Sequence, residues 1–141
     1  MITNCNNLTN NKVVSVSENR IKFTLNNKRL YLINKVVVDN CYIKDGFRCD
    51  YLFEIIKQKN VINNVYYLEL KGKNILHAVE QLETTLKKCS KEHKNIKKEC
   101  YIVASRYPKS MTSSQIIKKK FKNKNRVQLF IDTKQKEIIL K

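Results

Sequence analysis

The sequence lacks most of the features that divide a chain into parts or carry it into a membrane. It has no tryptophan, one proline (Pro108) and two glycines, and it contains neither an internal repeat nor a Gly/Ser linker. No run of about 18 apolar residues is present, so no membrane-spanning helix is expected. We therefore interpret residues 13–141 as a single folded domain, preceded by a poorly ordered, asparagine-rich leader over residues 1–12.

The spacing of cysteine and histidine argues against a zinc-binding protein, and the N-terminal sequence argues against a secreted one. The five cysteines are scattered without a C-x-x-C pair, and the two histidines complete no zinc-binding spacing. The N-terminus has no basic start followed by an apolar stretch, which argues against a secretory signal. We expect reduced, mostly buried thiols in an intracellular, cytoplasmic protein.

Acidic residues are scarce relative to basic ones. Lys and Arg total 29 against 12 Asp and Glu, which gives a formal net charge of +17 and a pI near 9.8. Such an excess on a small domain is typical of a nucleic-acid-binding protein. The abundance of Asn, Ile and Lys also fits an AT-rich genome, which would raise the lysine content without selection for binding. Since that bias need not deplete Asp and Glu, the composition favours a nucleic-acid partner.

Hydrophobic periodicity predicts an α/β fold built around a mixed central sheet. Alternating segments indicate strands, steps of three and four indicate helices, and the Asp45-Gly46 pair predicts a hairpin. Three antiparallel strands in a meander are followed by helix, strand, helix and strands. Residues 13–33 are predicted to be mostly strand, in alternating segments separated by an Asn-Asn-Lys turn. The other predicted strands are 35–43, 48–55, 65–72, 100–106, 127–132 and 137–141, and the predicted helices are 74–89 and 111–125.

Charged residues gather at the end of the strand over residues 65–72. Side chains alternate along a strand, so Glu69 and Lys71 share the face that we expect to point away from the core, and Asp50 on the neighbouring strand can lie alongside Glu69. Two close carboxylates repel unless a divalent cation lies between them. With a lysine to orient water, such a group suits phosphodiester hydrolysis. The alternative is a surface ion pair between Glu69 and Lys71, worth less than about 1 kcal/mol.

The sequence "CDY" on one strand, "ELK" on the next and then a helix with "EQLE" resembles the PD-(D/E)XK nuclease superfamily, which has the restriction-endonuclease-like fold. Asp50 matches the Asp on the second strand of the superfamily's meander, and Glu69 and Lys71 match the E-x-K on the third. The resemblance implies Mg²⁺ or Mn²⁺ bound by Asp50, Glu69 and the Leu70 carbonyl. It further implies that Lys71 positions the attacking water, and that Gln81 supports the site or contacts phosphate.

The resemblance covers roughly residues 36 to 106 and implies a metal-dependent endonuclease that acts on DNA more than on RNA. Members usually carry an acidic residue on a helix before the meander. Here Glu18 is the nearest candidate and no helix is predicted there, so one and two metal ions both stay open. In size the chain is similar to small archaeal Holliday-junction resolvases, and such small members often form homodimers. The alternatives are a non-catalytic nucleic-acid-binding module on this fold, as a subunit of a larger complex, and an interaction protein whose charge reflects genome composition.

Further residues are candidates for nucleic-acid contacts, each with a structural alternative. Basic side chains near the end of the strand over 100–106 and along the second helix could contact phosphates, although a solvated basic helix would look the same. Tyrosines could stack on unpaired bases or pack in the core. His77 could line the cleft or face solvent. These candidates are Arg106, Lys109, Lys118, Lys119, Lys120 and Lys122 for phosphates, and Tyr66, Tyr67 and Tyr107 for bases.

Overall fold

The computed structural model describes residues 1–72, 74–106 and 111–141 of the chain. Within these ranges no helix is long and apolar enough to cross a membrane. The elements, in chain order, are β1 (Asn6–Thr9), β2 (Val13–Glu18), β3 (Ile21–Asn26), β4 (Leu32–Val37), β5 (Tyr51–Gln58), β6 (Val61–Lys71), α1 (Ile75–Lys88), β7 (Lys97–Ala104), α2 (Met111–Asn125), β8 (Gln128–Thr133) and β9 (Gln135–Ile139).

Six strands form a mixed sheet in the order β1-β4-β5-β6-β7-β8, and three form a second sheet in the order β2-β3-β9. The large sheet is antiparallel from β1 to β6, and β6, β7 and β8 are parallel to one another. Apolar side chains of α1 and α2 pack in one core cluster with one face of the large sheet, and those of β2 and β3 pack in a second cluster with the opposite face. The molecule therefore has three layers: helices, large sheet and small sheet.

The predicted α/β class, with a meander followed by helix, strand, helix and strands, is confirmed at the level of a mixed sheet with two helices. The meander is β4-β5-β6, and α1 then carries the chain to β7, which lies parallel to β6. Helix α1 begins where the sequence indicates, because the Asn74 side chain accepts a hydrogen bond from the His77 N–H at 3.0 Å. The second sheet was not predicted: the chain leaves the large sheet after β8, at Lys134, whose φ is 65°, and β9 then pairs with β3.

The Asp45-Gly46 hairpin is a wrong prediction. Strands β4 and β5 are antiparallel neighbours, but residues 38–50 connect them as a long loop in which Gly46 has a φ of 77°. The tight turn lies instead at residues 59–60, within a segment expected to be a polar loop. There the Asn63 side chain accepts a hydrogen bond from the Lys57 N–H at 2.7 Å beside a β-bulge, which repairs the interrupted ladder.

The N-terminal leader and the cysteines also differ from expectation. Residues 6–9 form strand β1, which pairs with β4, and Ile2 is buried in the helix-side core, so the prediction of a poorly ordered segment over 1–12 is corrected. Cys5 and Cys41 form a disulfide that ties this segment to the loop between β4 and β5, against the expectation of reduced thiols. Cys49, Cys89 and Cys100 are free and buried, as expected. Burial of Ile2 and the disulfide hold the leader in place.

A buried polar network stabilises the middle of the large sheet. The Glu54 carboxylate lies on β5 and accepts hydrogen bonds from Asn34 Nδ2 at 2.7 Å and from the Ile2 N–H at 3.1 Å. His93 Nε2 lies 2.6 Å from Glu54 Oε2, and its Nδ1 contacts the Tyr67 hydroxyl. Burial alone would raise the pKa of Glu54, but these hydrogen bonds outweigh it and lower the pKa below its ordinary value. The network is thus a satisfied core group rather than an open site.

The tyrosines considered for base stacking are used in packing. Tyr67 is fully buried, and Tyr66 packs edge-on against Tyr101 with ring centroids 5.6 Å apart. Tyr107 lies outside the described residues. Core packing is therefore the role of Tyr66 and Tyr67.

Candidate metal and catalytic site

The candidate site lies where β5 begins and β6 ends. Tyr51 is level with Leu68, and the Asp50 N–H donates to the Leu68 carbonyl at 3.1 Å, so Asp50 comes next to Glu69. Asp50 Oδ2 accepts a hydrogen bond from the Leu70 N–H at 2.8 Å. The N–H and C=O of one strand residue point to the same side, so the Leu70 carbonyl is directed toward the Asp50 edge as well. Asp50, Glu69 and Leu70, predicted from the sequence to lie together, are brought together.

Glu69 is the most unusual residue of this site. It is only 2% exposed, so the predicted face pointing away from the core is wrong: α1 covers that face of the sheet. Its Oε1 is buried and has no hydrogen-bond partner among the residues that the structure describes. Its Oε2 lies 4.0 Å from Lys71 Nζ, which is close enough for an ion pair but too far for a hydrogen bond. A buried carboxylate oxygen without a donor is costly unless something positive meets it.

Both carboxyl groups have raised pKa values. Burial, and then the neighbouring Asp50 carboxylate, raise the pKa of Glu69 to about 9, although the Lys71 ammonium acts in the opposite direction. Burial also raises the pKa of Asp50 to about 6, against the hydrogen bond from the Leu70 N–H, which lowers it. At neutral pH and without a cation the pair therefore retains a proton on Glu69. A divalent cation that displaced this proton would satisfy the unpartnered oxygen.

Lys71 is held by residues from α1. Its Nζ donates to Gln81 Oε1 at 3.1 Å and lies 2.9 Å from His77 Nδ1, while Gln81 Nε2 donates to the Arg48 carbonyl at 3.0 Å. Gln81 thus bridges Lys71 to the loop that leads into Asp50. His77 contacts the site rather than facing solvent alone, which resolves one of the alternatives left by the sequence.

Sequence reasoning missed two groups that the fold brings to the site. Asp39 adds its negative charge to the field that raises the pKa of both Asp50 and Glu69, and its Oδ1 accepts a hydrogen bond from Arg48 Nε at 2.8 Å. Phe47 lies edge-on to His77 with centroids 5.2 Å apart. Both lie on the loop between β4 and β5. The only sequence signal was their nearness to Asp50 in the chain.

Glu18, the nearest candidate for a further acidic residue before the meander, ends strand β2 rather than lying on a helix. Its charge nevertheless reaches the site, because it is among the groups that raise the pKa of Asp50. Its side chain is exposed, on the sheet that packs against the opposite face of the large sheet from α1. The small sheet, which the sequence did not predict, carries it there.

The predicted phosphate-contacting residues occupy two separate places. Arg106 is exposed and follows β7, whose Ala104 is level with Lys71, so it lies at the site end of the sheet. Lys118, Lys119, Lys120 and Lys122 are on α2, which packs on β8, two strands away from β6. They do not belong to the carboxylate cluster. Lys109 lies outside the described residues.

The site offers a cation only a few protein ligands. In residues 1–72, 74–106 and 111–141 there is no group of three or more His, Cys, Asp or Glu side chains arranged around one point. Asp50, Glu69 and the Leu70 carbonyl offer oxygen ligands only, which suits Mg²⁺ or Mn²⁺ with the remaining positions filled by water. Comparisons with known proteins found no family model, no curated protein and no solved structure that matches this chain.

Proposed function

We propose that the protein is a divalent-metal-dependent nuclease that hydrolyses phosphodiester bonds of nucleic acid, with DNA favoured over RNA. The observation that carries the proposal is the buried Glu69 carboxylate beside Asp50, with one oxygen unpartnered and a lysine ammonium 4.0 Å from the other. Structural ion pairs in cores have their lone pairs satisfied. A carboxylate pair held in an unsatisfied, proton-retaining state is instead typical of a reaction centre or a metal site.

The residues present fit a hard divalent cation. Asp50 and Glu69 would hold it, with the Leu70 carbonyl as a further oxygen ligand. Mg²⁺ or Mn²⁺ bound there would lower the pKa of water and neutralise charge that develops on the phosphate. The net charge of +17 would draw a polyanionic substrate to the protein.

The roles of the chain's own residues follow from their contacts. The Lys71 ammonium, fixed by Gln81 and His77, would donate a hydrogen bond to the attacking water or to a phosphate oxygen. Gln81 would act as a positioning residue, since it joins Lys71 to the Arg48 carbonyl. Arg106 at the same end of the sheet would contact a neighbouring phosphate.

The finer fold assignment is part of the proposal. An antiparallel meander, a helix and then a strand parallel to the third strand of the meander is the order that the PD-(D/E)XK resemblance implies, and β4-β5-β6, α1 and β7 follow it. Asp50 at the start of β5 and Glu69-x-Lys71 at the end of β6 then correspond to the D…E-x-K motif. We propose a restriction-endonuclease-like core on this basis, and a homodimer as the working unit, because a minimal domain offers a single cut.

The test is cleavage of supercoiled plasmid DNA by the purified protein. We expect nicking with Mg²⁺ or Mn²⁺ and none with EDTA or Ca²⁺. Asp50→Ala, Glu69→Ala and Lys71→Ala should each abolish cleavage and keep the circular dichroism of the wild type, whereas Glu80→Ala, an exposed glutamate on α1, should cut normally. A Glu69→Ala variant that cuts as fast as the wild type would show that the site is wrongly assigned.

The second candidate function is a non-catalytic nucleic-acid-binding module, in which the carboxyl pair shares a proton and binds no metal. Burial, which raises the pKa of Glu69 to about 9, is in its favour, because a carboxyl pair that keeps a proton needs no cation to neutralise it. Isothermal titration with Mn²⁺ separates the two functions. Binding that is accompanied by proton release and lost in Asp50→Asn supports the nuclease. No binding, together with intact DNA affinity, supports the module.

A further inference from the structure

A groove with a volume of ≈ 720 Å³ lies at the end of the molecule opposite the candidate site. Its walls are the C-terminal ends of α1 and α2 and the first residues of β7 and β8, with the loops that precede those strands. Six of its fourteen lining residues are basic and one, Glu99, is acidic; most of the others are neutral polar residues. The basic residues are Lys87, Lys97, Lys98, Lys122, Lys124 and Arg126.

The charge of this basic groove exceeds what the fold requires there. Lys124 pairs with Glu83 at 3.2 Å and Lys97 with Glu99 at 3.8 Å, which removes two of the six positive charges and leaves four. Cations also stabilise the negative ends of helix dipoles, and two helices end at the groove, but together they amount to only about one elementary charge. A surplus of about three positive charges is left over by this count. Capping of the helices therefore does not account for the cluster.

The basic groove and the candidate site share one face of the large sheet. Glu69 and Lys71 lie under the N-terminal half of α1, while Leu86 and Lys87 of its last turn line the groove. The parallel pairing of β6 with β7 measures the separation: Asn64 is level with Lys97 and Lys71 with Ala104, seven residues further on. At about 3.3 Å per residue the two ends are about 23 Å apart.

We propose that the basic groove binds the sugar–phosphate backbone of nucleic acid about seven nucleotides from the candidate site. Successive phosphates of a strand in duplex DNA rise by about 3.4 Å, so about 23 Å corresponds to about seven of them. Lysine and arginine with neutral hydrogen-bond donors form the surface that phosphate contacts need. Three of the fourteen lining residues, Leu86, Ile96 and Val127, are apolar and none of the fourteen is aromatic, so the groove lacks the aromatic anchors that are enriched in protein interfaces. The distance to the site rests on the proposed function, whereas binding in the groove does not.

Two matched triple variants test the proposal. Lys87→Gln/Lys122→Gln/Arg126→Gln removes three exposed cations of the groove that are not paired with Glu83 or Glu99 and do not belong to the carboxylate site. The control, Lys12→Gln/Lys28→Gln/Arg29→Gln, removes three exposed cations at the ends of β2 and β3, in the layer on the opposite face of the large sheet. Both variants lose the same net charge, so only the position differs.

The measurement is fluorescence anisotropy with a labelled duplex of about 20 base pairs in EDTA, over a range of salt concentrations around 0.1 M. We expect the groove variant to bind at least about tenfold more weakly and its salt slope to fall by about two to three units, because each lost phosphate contact removes about one. The control should keep most of the slope. Wild-type affinity should also rise steeply once the duplex exceeds about seven base pairs, and the groove variant should lack that rise.

Several outcomes would overturn the proposal. Equal weakening by the two variants would mean diffuse attraction to the whole surface, and no weakening by the groove variant would mean that the groove is not used. Tighter binding of the wild type to polyglutamate or to phosphatidylserine vesicles than to DNA would assign the groove to another partner. Failure of cleavage is a separate result: a wild type that binds through the groove but never cuts would refute the nuclease and leave the groove assignment standing.

Discussion

The unpartnered Glu69 carboxylate makes a specific prediction about stability and pH. Burial and the Asp50 carboxylate raise the pKa of Glu69 from its ordinary 4.5 to about 9 in the folded protein. The folded state therefore keeps a proton that the unfolded chain loses above pH 4.5. The stability that Glu69 contributes is complete below its ordinary pKa and is lost as the pH rises toward its folded pKa.

The size of the effect follows from the pKa difference. Each pH unit between the two pKa values costs about 1.36 kcal/mol of unfolding free energy, so raising the pH from about 5.5 to about 8.5 costs about 4 kcal/mol. For a chain of this length that corresponds to roughly 10 °C in melting temperature. Glu54 has the opposite shift, a lowered pKa, so its contribution changes only in acid, outside this range.

The assay is thermal unfolding in EDTA at a series of pH values. Glu69→Gln has the same shape without the ionisable proton, so we expect it to lose most of the decline and to exceed the wild type in stability near pH 8.5. The matched control is Glu80→Gln, because Glu80 is an exposed glutamate on α1. This variant should keep the wild-type decline of stability with pH.

Addition of Mn²⁺ completes the experiment. An ion that binds the ionised pair should restore stability to the wild type more strongly at high pH, by about 2.7 kcal/mol at a hundred times its dissociation constant, and should do nothing for Glu69→Gln. If the wild type and Glu69→Gln decline equally with pH, the raised pKa, and with it the reasoning about this site, is wrong.

Three further predictions concern other parts of the molecule. Lys71→Met should abolish metal-dependent nicking but leave DNA affinity in EDTA within about threefold, as one lost contact predicts; anisotropy and plasmid assays measure both. Reduction of the Cys5–Cys41 disulfide, which spans 36 residues, should lower stability by about 3 to 4 kcal/mol in urea titrations, and Cys5→Ser should remove the response to reductant. Glu54→Gln should cost about 3 kcal/mol or more, since it breaks the buried pair with His93; unchanged urea midpoints would contradict this.

Local patterns were enough to predict most of the elements. The helix α1 could be read from steps of three and four and from Asn74 as its cap, because both depend on residues within one or two turns. The meander could be read from alternation, and with it the shared face of Glu69 and Lys71, because alternation is a property of the extended backbone itself. The same logic brought Asp50 beside Glu69 once two neighbouring strands were paired.

Where the chain turns was less predictable. The pair Asp45-Gly46 has the strongest short-range hairpin signal in the sequence, yet it lies in a long loop, and the tight turn at 59–60 follows two polar residues. Strand register is set largely by the hydrophobic pattern of the paired strands, so the packing of long strands overrides a two-residue turn signal. The side chain of Asn63 at the bulge shows how a polar residue can continue a strand rather than end it.

What only the tertiary structure decided is the environment of the charged residues. Alternation put Glu69 and Lys71 on one face but did not reveal that α1 covers it, and that burial is what raises the pKa of Glu69. The charges of Asp39 and Glu18 reach Asp50 from a loop and from a second sheet. Solvation and electrostatic fields depend on every group within several ångströms, whatever its distance along the chain, so no local pattern in the sequence encodes them.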